Sequence, residues 1–392
     1  MSATDDEKVL ASSALMAAGT IVSRLSGFVR STLLAAALGQ QLHADLFTIG
    51  NTIPNMLYIL LAGGVFNAVL VPQLVRAMQQ HEDGGEAYTN RIVTLAALFL
   101  GGVTVLLVLA APWVMSIYLD DSFSCADLAP QRESVIDFAR YCLPQVFFYG
   151  MFVLVGQILN SRGRFGPMMW APIANNVISV AVLVAYLLVF GPTPEALLNG
   201  AFTSEQELLI GLGSTLGIAA QFLILLPYLK RAGFTYRPRF DFRGAGLGHT
   251  LRLGIWTVLF VIVNQIAYLV VVRLASSGTA AAAGGCGAAS AGEGTGYTVY
   301  SSAFLIVMVP HSIITVSLAT AILPRLSARA ADGDLSGLAR SLSSTLRTAL
   351  AVVVPFALLL PLIASDLANV IWGYGAARDR FDLYTLSLAL FG

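Results

Sequence analysis

The chain has 392 residues, of which 57% are apolar and only 11% charged, against roughly 25% charged in an ordinary soluble domain. So little charge cannot cover a water-facing surface, whereas a lipid-facing one is apolar and tolerates Gly and Pro within helices. With 22 basic and 22 acidic residues the net charge is zero, which removes any global electrostatic case for a nucleic-acid partner.

About 20 mostly apolar residues cross the hydrocarbon core as a helix. In chain order, spans are expected near 11–38, 46–78, 91–119, 134–161, 167–190, 206–229, 249–275, 297–325 and 340–364, with a tenth opening near Leu383. The expected fold class is an all-α polytopic membrane protein: nine complete transmembrane helices plus the start of a tenth, cut off at Gly392 in a truncated C-terminal lobe. Residues 1–10 are polar. The apolar stretch behind them is too long, and too interrupted by Arg, for a cleaved signal peptide.

The first span, SALMAAGTIVSRLSGFVRSTLLAAALG, carries Arg24 near its middle and Arg30 further along. Each mid-bilayer Arg costs at least ~2.5–3.5 kcal/mol on insertion scales, so it persists only where a water-filled cavity or a partner receives it. At 100° per residue the two lie about 120° apart around the helix. Ser23, Ser26 and Gly27 between them make that face small and polar. Two permanent cations on a cavity wall suit phosphate, which Arg grips through its planar fork. The alternative for Arg24 is a structural ion pair, for instance with Asp45 at the start of the second span; snorkelling fits Arg30 better than Arg24.

Further polar residues fall inside later spans: Asn51, Asn55 and Asn67 in the second, Gln157 and Asn160 in the fourth, Asn175 and Asn176 in the fifth, Asn264 and Gln265 in the seventh. Singly, each is best read as glue between helices. As a set they suggest a polar cavity. Its candidate lining is Ser23, Ser26, Gly27, Asn51, Asn55, Asn176, Asn264 and Gln265. In the sixth span GLGSTLG (211–217) lacks both GxGxxG spacing and a Walker Lys, and reads as a small-residue packing face. In the seventh, Arg252 and Arg273 sit near the interfaces, where snorkelling is the favoured reading.

The second span ends VLVPQLVRAM (69–78) and the eighth ends AILPRLSARA (321–330). This pairs span two with span eight and implies six helices per lobe, repeated in parallel. The expected domains are an N-lobe over 1–229, a basic and aromatic linker over 230–248, and a partial C-lobe over 249–392. In the linker, Phe234, Tyr236, Phe240 and Phe242 interleave with Arg237, Arg239 and Arg243, the pattern of an interfacial anchor. The Gly/Ala segment 278–296 reads as a flexible connector.

Basic residues orient the chain. Arg76, Arg91, Arg162, Arg164, Lys230, Arg231, Arg325, Arg329 and Arg340 lie on one side with the linker. Asp120, Asp121, Asp127, Glu195, Glu205 and Glu293 lie on the other, Arg378 and Arg380 being the exception. The N-terminus is therefore expected to be cytoplasmic. Cys125 and Cys286 fall in outer loops and could pair, but cysteine arithmetic alone favours the unpaired state. The four His are isolated. No nucleophile elbow, intramembrane carboxylate pair or metal cluster is present, so neither catalytic nor metal residues are expected.

Several motifs together resemble one family. They are SRLSGFVR (23–30), ADLF and IPN (44–55), FNAVLVP (66–72), GQILNSRGRF (156–165), APIANN (171–176), LPYLKRAGF (226–234), NQI (264–266), ATAILPRLS (319–327) and WGYG (372–375). They resemble the MurJ (MviN) lipid II flippases of the multidrug/oligosaccharidyl-lipid/polysaccharide exporter superfamily. The resemblance implies fourteen helices, with two six-helix lobes forming a V around a cationic cavity in the bacterial cytoplasmic membrane. It implies outward transport, by alternating access, of an undecaprenyl-diphosphate-linked peptidoglycan precursor (lipid II). Arg24 and Arg30 would hold the diphosphate, Asp45 would pair with an arginine during gating, and the first and eighth helices would form the lateral gate. The implied partners are lipid II, membrane lipids, and proteins of cell-wall synthesis and division. No cofactor is implied, and membrane potential or an ion gradient would drive transport. The chain departs from the family where many members carry basic residues, with Thr52 and Tyr58 in the second helix and Leu305 in the eighth. Its rivals are another lipid-linked substrate, a drug antiporter of the same superfamily, which would want acidic residues inside its helices, and a non-transporting scaffold.

Overall fold

The computed structural model describes residues 3–59, 85–162, 164, 166–241, 247–284, 295–310 and 333–391, with Ile322, Leu326 and Arg329. Every regular element among them is helical. In chain order they are α1 (Ala3–Leu38), α2 (Leu42–Ile59), α3 (Glu86–Leu109), the short α4 (Ala111–Tyr118), α5 (Ala129–Cys142), α6 (Gln145–Ser161) and α7 (Gly166–Val189). Then follow α8 (Ser204–Arg231), α9 (Leu247–Ala282), α10 (Tyr297–Pro310), α11 (Leu335–Trp372) and α12 (Asp382–Phe391). Seven stretches among the described residues are long and apolar enough to cross a membrane, α5 and α6 counting as one. The chain is a multi-pass, all-helical membrane protein. The repeat motifs 69–78 and 321–330 lie outside the described residues, apart from three single positions.

Local chemistry sets the boundaries. Gly39, at φ +77°, ends α1 in the left-handed conformation that glycine adopts without a Cβ penalty. The ends of α1 and α2 meet α8's approach loop there: the His43 N–H donates to the Leu198 carbonyl at 2.8 Å. Thr203 and Gln206 form a capping box at the start of α8, satisfying two end donors reciprocally. The small residues of α8 do pack, as expected. A Cβ on Gly211 would come within 2.8 Å of Tyr141, one on Gly213 within 2.6 Å of Val182, and one on Gly217 would collide with Asn175.

Two apolar clusters hold most of the helices together, the first reaching from α1 and α2 to α9 and α10. One gathers Leu42, Leu46 and Ile49 of α2 with Val135 and Phe138 of α5, and the other gathers Ile92, Phe152, Leu159 and Leu229. The linker is docked along the start of α3. The Arg237 N–H donates to Asn90 Oδ1 at 2.8 Å, the Arg239 N–H donates to Thr94 Oγ1 at 3.1 Å, and Arg91 pairs with Asp241. Phe234 is buried under the Arg162 guanidinium, 5.4 Å from the ring centre, whereas Tyr236 and Phe240 remain exposed as an anchor would require. Phe242 lies outside the described residues. The second half of α1 packs on α10, α11 and α12: Phe28 and Ala35 join Val299, Leu360, Trp372 and Tyr384, and Trp372 Nε1 donates to Ser31 Oγ at 3.2 Å.

Candidate functional site

Three N-lobe helices build a polar wall. Arg30 of α1 is exposed, a permanent cation on the face that α1 turns away from its packing against α7. Tyr149 of α6 lies within electrostatic reach of it and stacks on Tyr58 of α2, with ring centres 4.6 Å apart. On the same face of α2, Asn51 accepts a hydrogen bond from Gln145 Nε2 at 2.9 Å, and Asn55 is exposed. Arg24, about 9 Å from Arg30 along α1 by helical rise, is half-buried. Neither arginine has an ion-pair partner among the described residues. A cleft of about 260 Å³ lies elsewhere, between α4 and α5 beside Pro112, Asp121 and Arg132.

Four of the other expected lining residues meet between two helices. Asn176 Nδ2 donates to both the Ser23 carbonyl and Ser26 Oγ, each at 2.8 Å, and a Cβ on Gly27 would touch the same amide. Ser23, Ser26, Gly27 and Asn176 thus clamp α1 to α7. In α9, Asn264 is exposed and donates to the Phe260 carbonyl of its own helix at 2.9 Å. Gln265 keeps a buried Oε1 without a partner among the described residues.

Asp45 occupies a second, separate place. Its side chain is fully buried and faces no arginine among the described residues. Asp45 Oδ2 accepts from Thr279 Oγ1 of α9 at 2.7 Å and from the Tyr297 N–H of α10 at 3.0 Å, while Oδ1 accepts from the Thr298 N–H at 2.7 Å. A carboxylate at a helix N-terminus satisfies end donors and complements the helix dipole. Gly296 makes this possible, because any Cβ there would strike the carboxylate. Thr298 Oγ1 also reaches Thr48 Oγ1 at 2.9 Å, and the hydroxyls of Thr52, Tyr297 and Tyr268 continue inward at 3.1 and 2.7 Å.

A further set of bonds joins α9 to the loop after α4. Arg273 pairs with Asp121 at 2.6 Å and donates to the Leu119 carbonyl at 2.9 Å, while the Asp120 N–H donates to Ser276 Oγ at 3.2 Å. Arg273 therefore bonds α9 to the loop after α4, whose carbonyls and carboxylate receive its guanidinium, a partnership that the snorkelling expectation did not include. For Asp120, burial would raise the carboxyl pKa, but the Ser122 hydroxyl and N–H, the Asp121 N–H and Arg273 outweigh it and hold the pKa below its ordinary value. Cys125, in the same loop, is disulfide-bonded, and Cys142 is buried and free. This corrects the unpaired expectation for Cys125, because spacing along the chain does not report proximity in the fold. Cys286 lies outside the described residues, as does the side chain of Arg252.

Sequence reasoning missed Tyr149, Gln145, Gly296, Thr279, Tyr297 and Thr298. Only the last carried a local signal, as a Thr near the start of an apolar run.

Among known proteins, residues 34–392 match the family described as lipid II flippase MurJ. A probable lipid II flippase MurJ from Haemophilus influenzae is 28% identical over 265 residues, covering 66% of this chain and 49% of its own length. One from Vibrio cholerae is 27% identical over 383 residues, covering 95% and 67%. The lipid II flippase MurJ of Burkholderia cenocepacia is 27% identical over 376 residues, covering 94% and 66%. The chain spans about half to two-thirds of the length of these relatives. A solved lipid II flippase MurJ in an inward closed conformation matches with TM-score 0.69 at 15% identity, over 96% of this chain and 71% of that one. An inward-facing MATE family multidrug transporter matches at 0.66 and 16%, over 94% and 76%.

Proposed function

The chain belongs to the lipid II flippase MurJ family, and on that premise we propose that the protein containing it moves lipid II from the inner to the outer leaflet of the bacterial cytoplasmic membrane. Transport follows alternating access, with the N-terminus in the cytoplasm and the basic linker on the same side. The observation that carries this reading is Arg30: a cation inside a membrane helix, exposed and without a carboxylate partner among the described residues. Such a charge is costly unless a ligand uses it. A diphosphate on a lipid carrier offers the oxygens that the guanidinium fork binds. Arg24 supplies a second cation to the same anion.

Asp45 and the bonds around it form the outer gate in its closed state, and their rupture lets the cavity open outward. Asp45 gates by capping α10 here, and pairs with an arginine when the gate opens. An anionic headgroup leaving a negative interior gains about 2.3 kcal/mol per charge per 100 mV, so membrane potential alone can favour the outward direction. Complementation tests the proposal. The full-length gene is expressed in cells depleted of their own lipid II flippase, as native sequence and as Arg24→Ala and Arg30→Ala at matched membrane abundance. Native rescue with failure of either variant supports the reading. Membrane-inserted native protein that gives no rescue moves another lipid-linked substrate or a scaffold role ahead.

A further inference from the structure

The wall beside Arg30 contains two tyrosines whose chemistry the packing does not use. Tyr58 comes from α2 and Tyr149 from α6, and their rings meet at 4.6 Å with a tilt of 31°. Both are half-buried. Neither hydroxyl makes a hydrogen bond with any described residue, and neither belongs with the enclosed, unpartnered hydroxyls such as those of Tyr88 and Tyr384. Both hydroxyls are thus unbonded to the described residues without being fully enclosed. The mutual stack holds the two rings, so their O–H donors are positioned with little rotational freedom left to lose. Asn55, exposed less than one turn from Tyr58, adds an amide to the same face.

We propose that Tyr58 and Tyr149 are substrate-binding residues, their phenolic O–H groups donating to the diphosphate oxygens that Arg30 also holds. This rests on the flippase reading above. A phenol at neutral pH is a donor without charge, so the pair adds hydrogen bonds to the anion without adding a cation to the cavity. Beside the guanidinium groups of α1 it places one hydroxyl from α2 and one from α6, so the donors come from three separate helices. Each hydroxyl's hydrogen bond is to a charged group, and its loss weakens binding by roughly ten-fold or more.

The test uses the purified full-length protein in lipid nanodiscs, with lipid II and undecaprenol, which lacks phosphate, as the two probes. Tyr58→Phe and Tyr149→Phe keep the rings and remove only the hydroxyls; Arg30→Ala serves as the control for the reading itself. The expected result is a roughly ten-fold loss of lipid II affinity in each Phe variant, with undecaprenol binding and melting temperature unchanged. Native binding of lipid II that is weakened in Arg30→Ala but untouched in both Phe variants overturns the tyrosine assignment alone. Native protein with no preference for lipid II over undecaprenol overturns the flippase reading and this proposal with it.

Discussion

Replacing Asp45 with Ala removes the acceptor on which α10 is docked. In the structure the Tyr297 and Thr298 N–H groups point at the Asp45 carboxylate from 3.0 and 2.7 Å, and Thr279 adds its hydroxyl at 2.7 Å, the arrangement proposed above as the closed state. The Asp45 side chain is fully buried, and Tyr297 and Thr298 are both about 2% exposed, so no water replaces the lost acceptor while the gate stays shut. A buried donor left without a partner costs about 1–3 kcal/mol. Two backbone donors therefore weaken the closed state by about 2–6 kcal/mol, or at least roughly thirty-fold in its ratio to the open state. Opening rehydrates both groups, so the cost falls on the closed state alone. Hydrogen exchange of the peptide containing Tyr297 and Thr298, measured by mass spectrometry on the full-length protein, reads this ratio directly. Exchange there is expected to accelerate by at least that factor in Asp45→Ala, while the buried amides of α5 and α6 keep their native rates. Gly296→Ala, which drives a methyl group into the same carboxylate, is expected to give the same pattern with the charge intact. Native exchange at 297 and 298 in both variants would refute the gate.

Arg273→Gln removes the bridge to Asp121 and is expected to weaken the outer seal by only about 1 kcal/mol, because the pair is partly exposed; the same exchange measurement checks it. Asp120, whose pKa is held below its ordinary value, contributes stability that is present above its unfolded pKa and lost as pH falls through the lower folded one. Outer-loop exchange should therefore rise only on acidification below the ordinary carboxylate range. Asn176→Leu deletes two contacts worth about 0.6 kcal/mol each in a membrane, so the melting temperature should drop slightly while lipid II binding stays native. A thiol-reactive maleimide should leave Cys125 unlabelled until a reductant is added, and should reach Cys142 only after denaturation.

The helical class and the positions of most spans were legible because apolar length and sparse charge are local properties. The small-residue face of α8 was equally readable: Gly at 211, 213 and 217 leaves few uses other than close packing. Arg24 and Arg30 stood out because an ionised group in hydrocarbon is expensive wherever the fold places it. The partners of those groups were not legible. Asp45 finds its donors more than 230 positions away, and its acceptance of backbone N–H groups leaves no side-chain signature in the sequence. Ser23, Ser26 and Asn176 looked like cavity lining because polarity alone cannot separate a wetted side chain from one bonded across a helix pair. Arg273 looked like a snorkelling residue for the same reason, since the carbonyls it meets belong to a loop that any sequence could supply. Tyr149 was invisible among the aromatics of its span until Tyr58 and Arg30 were placed beside it.

The most direct test of the central claim is the amount of lipid II in the outer leaflet of living cells. It is read by cleavage with an externally added enzyme that cannot cross the membrane, in cells depleted of their own flippase and expressing the full-length gene. Cleavable lipid II is expected with the native sequence and is expected to be lost, at equal membrane abundance, when Arg30 becomes Ala. Cleavage that is equally high with Arg30→Ala, or absent with correctly inserted native protein, would contradict it.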